Sequence, residues 1–299
     1  LREFSGKKIA VDISIYLYKY SALIENIYLM LSIFKHYGII PIFIFDGKPP
    51  TEKKALLQKR KQDKVDAQKE YNELNTELHN PKNNLSRDDK EEIMTSLDLL
   101  KKQFVYIKRD QINQVKELIV SYGAAYYDAP GEADVLCAQL VLSGKVWACM
   151  SEDMDMFVYG VPRVLRYFSL LNHTAVVYYT ENVLKRLDMT QEELRMICAL
   201  VNNDYNCLEM RQNNDIDIYK AVEMYNTYKN ASVTQSNSVC CEFYTWIKNN
   251  NLLKNVDILM QNFDMFMLPP LQVSVEVEEA ACDYKKMQDI LIQDGFVFL

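Results

Sequence analysis

Two kinds of apolar spacing alternate along the chain. Short apolar runs that end in an acid read as buried strands. They are residues 7–14 (KKIAVDIS), 39–45 (IIPIFIF, followed by Asp46), 124–128 (AAYYD) and 146–150 (VWACM, followed by SEDMDMF). RVLRYF (163–168) and AVVYY (175–179) are two further short strands. Between them lie stretches of helical period. Residues 15–37 form one long apolar helix, ended by Gly38. Residues 52–78 and 87–108 are charged, glycine-free and helix-favouring, and HNPKNNLSRDD between them has turn composition. Residues 110–122 and 131–143 are helices, the second with Pro130 suited to a first turn and Asp128 as its cap. From Thr180 onward the pattern is helical: 180–187, 190–201, 215–228, 237–249, 253–263 and 281–293.

Strands separated by helices predict an α/β fold with a mainly parallel central sheet flanked by helices. The division is expected at 179: an α/β core over 1–179 and a helical part over 180–299. Sheets of this kind carry their sites at the C-terminal ends of the strands, which is where the acids sit.

Composition narrows the chemistry. With 49% hydrophobic and 25% charged residues, the 299-residue chain has the make-up of a soluble globular protein. No apolar run reaches the roughly 20 residues that span a bilayer, so no membrane association is expected. Three scattered histidines argue against a zinc site or a histidine-based triad. Seven cysteines without a C-x-x-C pair read as buried free thiols, hence an intracellular, reducing compartment. The net charge of −7 hides a basic segment: residues 47–64 carry seven basic groups against two acids.

Seven acids follow strands or border helices: Asp12, Asp46, Glu132, Asp134, Asp153, Asp155 and Asp204. A single Asp after a strand is most often a turn residue or a cap. Several here follow apolar strands with no basic neighbour, and gathered at one sheet edge they could not all ionise. Two divalent cations would resolve this. Mg²⁺, with Mn²⁺ as a substitute, is the match for an all-carboxylate site.

VDISIYLY, IFIFDGKPP, YYDAPGEADVLCAQL, GKVWACMSEDMDMFVYG and LVNNDYN, in this order, resemble the successive blocks of flap endonucleases, the XPG-type structure-specific 5′ nucleases. The resemblance covers about residues 5–230. It implies a PIN-like nuclease fold, the seven acids as the site of two metal ions, and hydrolysis of 5′-flap DNA near a duplex junction. It also implies work at a site of DNA replication or repair, in the nucleus or at a viral replication site. The helices over about 52–108 resemble the family's helical arch. Lys53 and Arg60, seven and fourteen residues after Asp46, match the basic pair implied to steer the scissile phosphate, and their spacing predicts that both point the same way. Tyr18 matches a tyrosine that stacks on a base. Lys54, Lys59, Lys61 and Lys220 are general phosphate-contact candidates.

The departures bear on activity. The family's Met-Gly-Ile start is missing. Asp134 stands where flap endonucleases usually have Glu, which leans towards a 5′→3′ exonuclease of the same superfamily. The Gly-x-Gly hairpin that binds duplex is replaced by a glycine-free stretch, and Asn202 replaces a glycine. The segment between Tyr20 and Gly38 is shorter than usual. The chain closes on GFVFL, with no sliding-clamp docking peptide. A non-catalytic nucleic-acid scaffold on the same fold is the third reading.

Overall fold

Alternation along β1 (Lys8–Asp12) sets the layering. Ile9 and Val11 enter one apolar core and Ala10 the other, so the strand is covered on both faces. The computed structural model describes residues 1–19, 22–80, 83, 86–201, 216–231, 239–252, 257–271, 275 and 280–298. Around β1 lie β2 (Ile40–Phe45), β3 (Ala125–Asp128), β4 (Ala148–Met150), β5 (Arg163–Ser169) and β6 (Thr174–Tyr179). The sheet order is β3-β2-β1-β4-β5-β6, with β1 to β5 parallel and β6 antiparallel to β5. The order reverses between β1 and β4, and a crevice opens at such a switch point.

In chain order the helices are α1 (Ser14–Lys19), α2 (Leu23–His36), α3 (Lys54–His79), α4 (Arg87–Gln103), α5 (Arg109–Ser121), α6 (Ala133–Leu142) and α7 (Asp155–Tyr159). They continue with α8 (Thr180–Leu187), α9 (Gln191–Leu200), α10 (Ile218–Ala231), α11 (Val239–Asn249), α12 (Asp257–Met265) and α13 (Tyr284–Gln293). One face of the sheet is covered by α1, α2, α5 and α13, the other by α6, α7 and α9. A third apolar cluster, with Phe243 and Tyr244 at its centre, joins α9, α10 and α11.

Several boundaries differ from the sequence reading. The single helix expected over 15–37 is two, α1 and α2, with Ala22 as the N-cap of the second. The helix expected over 87–108 ends at Gln103. The helix α7, directly after the acids of SEDMDMF, was not expected. Its C-terminal carbonyls are satisfied from α9: Gln191 donates to Phe157 and Val158 at 2.9 Å, and Arg195 to Val158 and Tyr159 at 2.9 and 3.1 Å.

Asp128 is not the cap of α6. Its carboxylate pairs with Lys116 of α5 at 2.5 Å. The first N–H of α6, that of Ala133, is taken at 2.9 Å by Asp46 from the end of β2. This long-range cap needs the two loops to touch. Gly47 donates its N–H to the Gly131 carbonyl at 2.7 Å, and a Cβ on Gly47 would lie 1.8 Å from the Ala129 oxygen. Only glycine fits there.

The paired helices α3 and α4 extend from the site edge. They bury little (Ala67, Leu97, Leu100), and Ser86 caps α4 in a reciprocal box with Asp89. Lys64 ties the base of this hairpin down. Its ammonium bonds the Val105 carbonyl at 3.0 Å and lies 4.9 and 5.5 Å from the ring centres of Tyr18 and Tyr106.

Candidate active site

Parallel strands deliver their C-terminal ends to one edge, and six of the seven sequence-predicted acids meet there. The seventh, Asp204, lies outside the described residues. Asp12 closes β1. The register pairs Val11 with Met150, which sets Asp12 beside Ser151 at the end of β4. The Ser151 hydroxyl donates to Asp12 at 3.0 Å and the Ser14 N–H at 3.1 Å. Ser14 also donates its hydroxyl to Asp46, so one serine links the acids of two strands. Burial pushes the Asp12 carboxyl up to about 6, with the charges of Asp46 and Asp153 adding to the rise and the two serine bonds opposing it.

The acids after β3 and β4 approach more closely. Carboxylate oxygens of Asp134, Asp153 and Asp155 lie within 4.8 Å of one another. Asp134 is on the buried side of α6, where its Oδ1 accepts the Val135 N–H at 2.7 Å. Burial, and then the charge of Glu132, push its carboxyl up to about 8; Lys53 opposes the shift and Asp153 adds to it. Asp153 is held by its N–H to Ser151 at 3.1 Å and accepts the Asp155 N–H at 2.9 Å. A buried carboxyl that resists ionisation beside two further carboxylates needs positive charge to become a full ligand. The donors are hard oxygens throughout, which suits a divalent cation of the magnesium or manganese kind and not a thiolate-imidazole metal.

One of the seven acids, Glu132, has a protein cation, contrary to the reading of an edge without them, and so has the neighbouring Glu152. Lys53 donates to Glu132 at 2.7 Å, and both side chains are largely buried. Arg166 meets the Glu152 carboxylate at 3.4 Å and donates to the Glu152 carbonyl at 2.8 Å. Both contacts span long sequence separations, so no local pattern shows them. The one clue was Arg166 itself, a charge inside the apolar strand RVLRYF.

Lys53 closes a 3-10 turn (Thr51–Lys53) and faces the acids, whereas Arg60 is on α3 and exposed. Lys53 therefore precedes α3, which starts at Lys54, and the two residues are not on one continuous α-helix. Lys54, Lys59, Lys61 and Lys220 are exposed. Tyr18, 52% exposed, is a surface ring and not a core one. Sequence reasoning missed Ser14, Ser151 and Lys64. The two serines each follow a strand and stand within two residues of an acid, which is the signal that could have found them.

The comparisons with known proteins agree with this geometry. The family profile of the XPG N-terminal domain matches residues 1–67, and that of the XPG I-region matches residues 123–204. A protein called Flap endonuclease 1 from Aedes aegypti is 30% identical over 77% of this chain and 61% of its own length. The chain thus spans about three fifths of the length of the curated relatives it matches. Among solved structures, the catalytic core of Rad2 in complex with a DNA substrate superimposes with a TM-score of 0.66 at 18% identity, over 98% of this chain and 90% of that one. Flap endonuclease-1 from Methanococcus jannaschii does so with 0.65 at 19% identity, over 98% and 88%. These structural likenesses share the mainly parallel sheet and its helices. No described helix is long and apolar enough to cross a membrane. The sequence matches run over the segments that bring the acids together: the chain carries the XPG N-terminal and I-region domains, and the curated relatives it resembles are flap endonucleases.

Proposed function

We propose that this chain is a divalent-metal-dependent, structure-specific 5′ nuclease that hydrolyses 5′-flap DNA near a duplex junction. The observation that carries this reading is the convergence of acids from four parallel strand ends, with Asp134, Asp153 and Asp155 within 4.8 Å of one another. The metal ligands would be Asp12, Asp46, Glu132, Asp134, Asp153 and Asp155, with Asp204 from the sequence match as the seventh. Two Mg²⁺ ions, or Mn²⁺ in their place, would supply Lewis acidity at this site.

The chain's own groups do the rest. Ser14 and Ser151 hold Asp12 in one orientation. Asp46, fixed to the N-terminus of α6, keeps α6 and its Asp134 in register with β2. Lys53 neutralises Glu132 before DNA arrives, and its ammonium would help to hold a phosphate that enters at the acid edge. Arg60, Lys54, Lys59 and Lys61 line the basic stretch of α3 and draw in the 5′ single strand electrostatically. Tyr18 offers an exposed ring for a base at the root of the hairpin, and Lys220 contacts duplex phosphate on α10. Asp134, one methylene shorter than Glu, supports a second reading as a 5′→3′ exonuclease.

The test is a panel of 5′ flap, nicked duplex, blunt duplex, bubble and single strand, each with and without Mg²⁺ or Mn²⁺. Preferred cutting of the flap is the expected result. Preferred digestion of nicked or blunt ends moves the assignment to the exonuclease. Binding without any cutting refutes the nuclease reading in favour of a scaffold.

A further inference from the structure

At the same edge as the acids, the tip of the β5–β6 hairpin carries an aromatic ring in an unusual backbone state. Tyr167 has φ +57°, in the left-handed region that aromatic residues rarely adopt. The β5–β6 register shifts between Arg166 and Ser169, so Tyr167 sits in a bulge. Glu152 fixes it there: its carboxylate accepts the Tyr167 N–H at 2.6 Å, while Arg166 grips the same residue through both carboxylate and carbonyl. The Arg166 guanidinium also stacks 5.1 Å from the Tyr167 ring centre. The ring nevertheless stays 55% exposed, and Leu171 at the hairpin tip is 90% exposed.

An unfavourable backbone, held by a carboxylate one residue before Asp153, leaves the Tyr167 side chain largely exposed, with an edge contact to Tyr178 at 6.5 Å between ring centres. Non-glycine residues in this state gather at functional sites. Tyr167 lines a groove of 470 Å³ together with Lys19 of α1, Phe168, Leu170 and Leu171. Lys19 and Tyr18 are neighbours on α1, which leaves β1 right after Asp12. Glu152, which precedes Asp153, also lines the groove, so the groove borders the acid edge, and it offers an aromatic residue, apolar walls and an exposed cation. Glu152, its one acid, is neutralised by Arg166.

We infer that this groove receives one nucleobase of the DNA substrate, stacked on Tyr167 with its phosphate towards Lys19, and so sets where the strand lies relative to the scissile bond. The inference rests on the nuclease reading above and adds a substrate-binding residue to it. Stacking on an aromatic ring tolerates any base, so it would fix position without reading sequence.

The experiment uses flap DNA carrying 2-aminopurine singly at successive positions around the junction, with Ca²⁺ in place of Mg²⁺ so that binding is read without cutting. Wild type should quench the probe at one position besides any that stacks on Tyr18, and it is that position the Tyr167 variants probe. Tyr167→Phe should keep both the quenching and the affinity. Tyr167→Gly suits the positive φ, so it removes the ring without straining the backbone. It should lose the quenching and weaken binding about tenfold, the scale of one aromatic–base stack. A Tyr167→Gly protein that binds and quenches as wild type does, while wild type cuts flaps in Mg²⁺, overturns this inference alone. A wild type that neither binds nor cuts the flap overturns the nuclease reading and this inference with it.

Discussion

Replacing Asp134 by Asn should make the metal-free protein more stable while it costs the site its metal. Asp134 is only 7% exposed. Its carboxyl ionises near 3.8 in the unfolded chain and at about 8 in the folded one, pushed up first by burial and then by Glu132. Between these values the folded state holds a proton that the unfolded state has released, so stability falls as pH rises from about 4 to about 8. At pH 7 the unfolded carboxyl is about three pH units past its midpoint, and each unit is worth ~1.4 kcal/mol, so the acid costs about 4 kcal/mol. Asn imitates the neutral acid. Its oxygen can take the Val135 N–H that Asp134 takes at 2.7 Å, and its amide can turn to the Tyr159 hydroxyl, now 3.5 Å from Asp134. For a chain of this length 4 kcal/mol corresponds to about 6 °C in melting temperature. The assay is thermal unfolding in EDTA across pH 4 to 8, repeated with added Mg²⁺. The variant should melt higher than wild type at pH 7.5, with the gain shrinking towards pH 4. Added Mg²⁺ should raise the wild type and leave the variant nearly unmoved. A variant that melts at or below wild type in EDTA at pH 7.5, or a gain independent of pH, would refute the reasoning.

Three further perturbations probe other parts of the account. Arg60→Ala should slow single-turnover cleavage about a hundredfold with a smaller loss of affinity, since a cation opposite developing charge acts mainly in the transition state; an unchanged single-turnover rate reduces Arg60 to a solvated helix residue. Gly47→Ala should destabilise the fold by about 2 kcal/mol or more, because the added methyl meets the Ala129 carbonyl; urea unfolding checks this, and wild-type stability would contradict it. Lys64→Ala should loosen α3 and α4 from α1 at a cost of about 1 kcal/mol, the scale of one hydrogen bond or one cation–π contact. Hydrogen exchange should then rise in α3 and α4 and stay unchanged in β1 and β2.

What was legible in the sequence, and what was not, follows the range of the interactions. Buried strands ending in acids are local patterns, so KKIAVDIS, IIPIFIF and VWACM were placed correctly, and the parallel sheet followed from their alternation with helices. The acids could be nominated one by one for the same reason. Their pairings could not. The Lys53–Glu132 bond joins residues 79 apart, the Ala133–Asp46 cap residues 87 apart, and the Ser151–Asp12 bond residues 139 apart. Such contacts exist only once the strands lie side by side. The misplaced cap shows the cost: Asp128 has the right residue type beside the right helix, yet Lys116 on α5 takes it. Glu152 shows it again. In SEDMDMF it is one acid among three, and only the fold separates its role, latching the β5–β6 hairpin through Tyr167 and Arg166, from the convergence of Asp153 and Asp155 on Asp134.

The central claim is that carboxylates gathered from parallel strand ends bind divalent metal and thereby cut flap DNA. The most direct measurement is cleavage of a 5′-flap substrate in Mg²⁺ by wild type and by the double variant Asp153→Asn, Asp155→Asn, with binding of the same DNA followed in Ca²⁺. The account predicts metal-dependent cutting near the junction by wild type, loss of at least a hundredfold in rate in the double variant, and largely retained binding. A double variant that cuts as fast as wild type, or a wild type that binds the flap but leaves it intact in both Mg²⁺ and Mn²⁺, would contradict it.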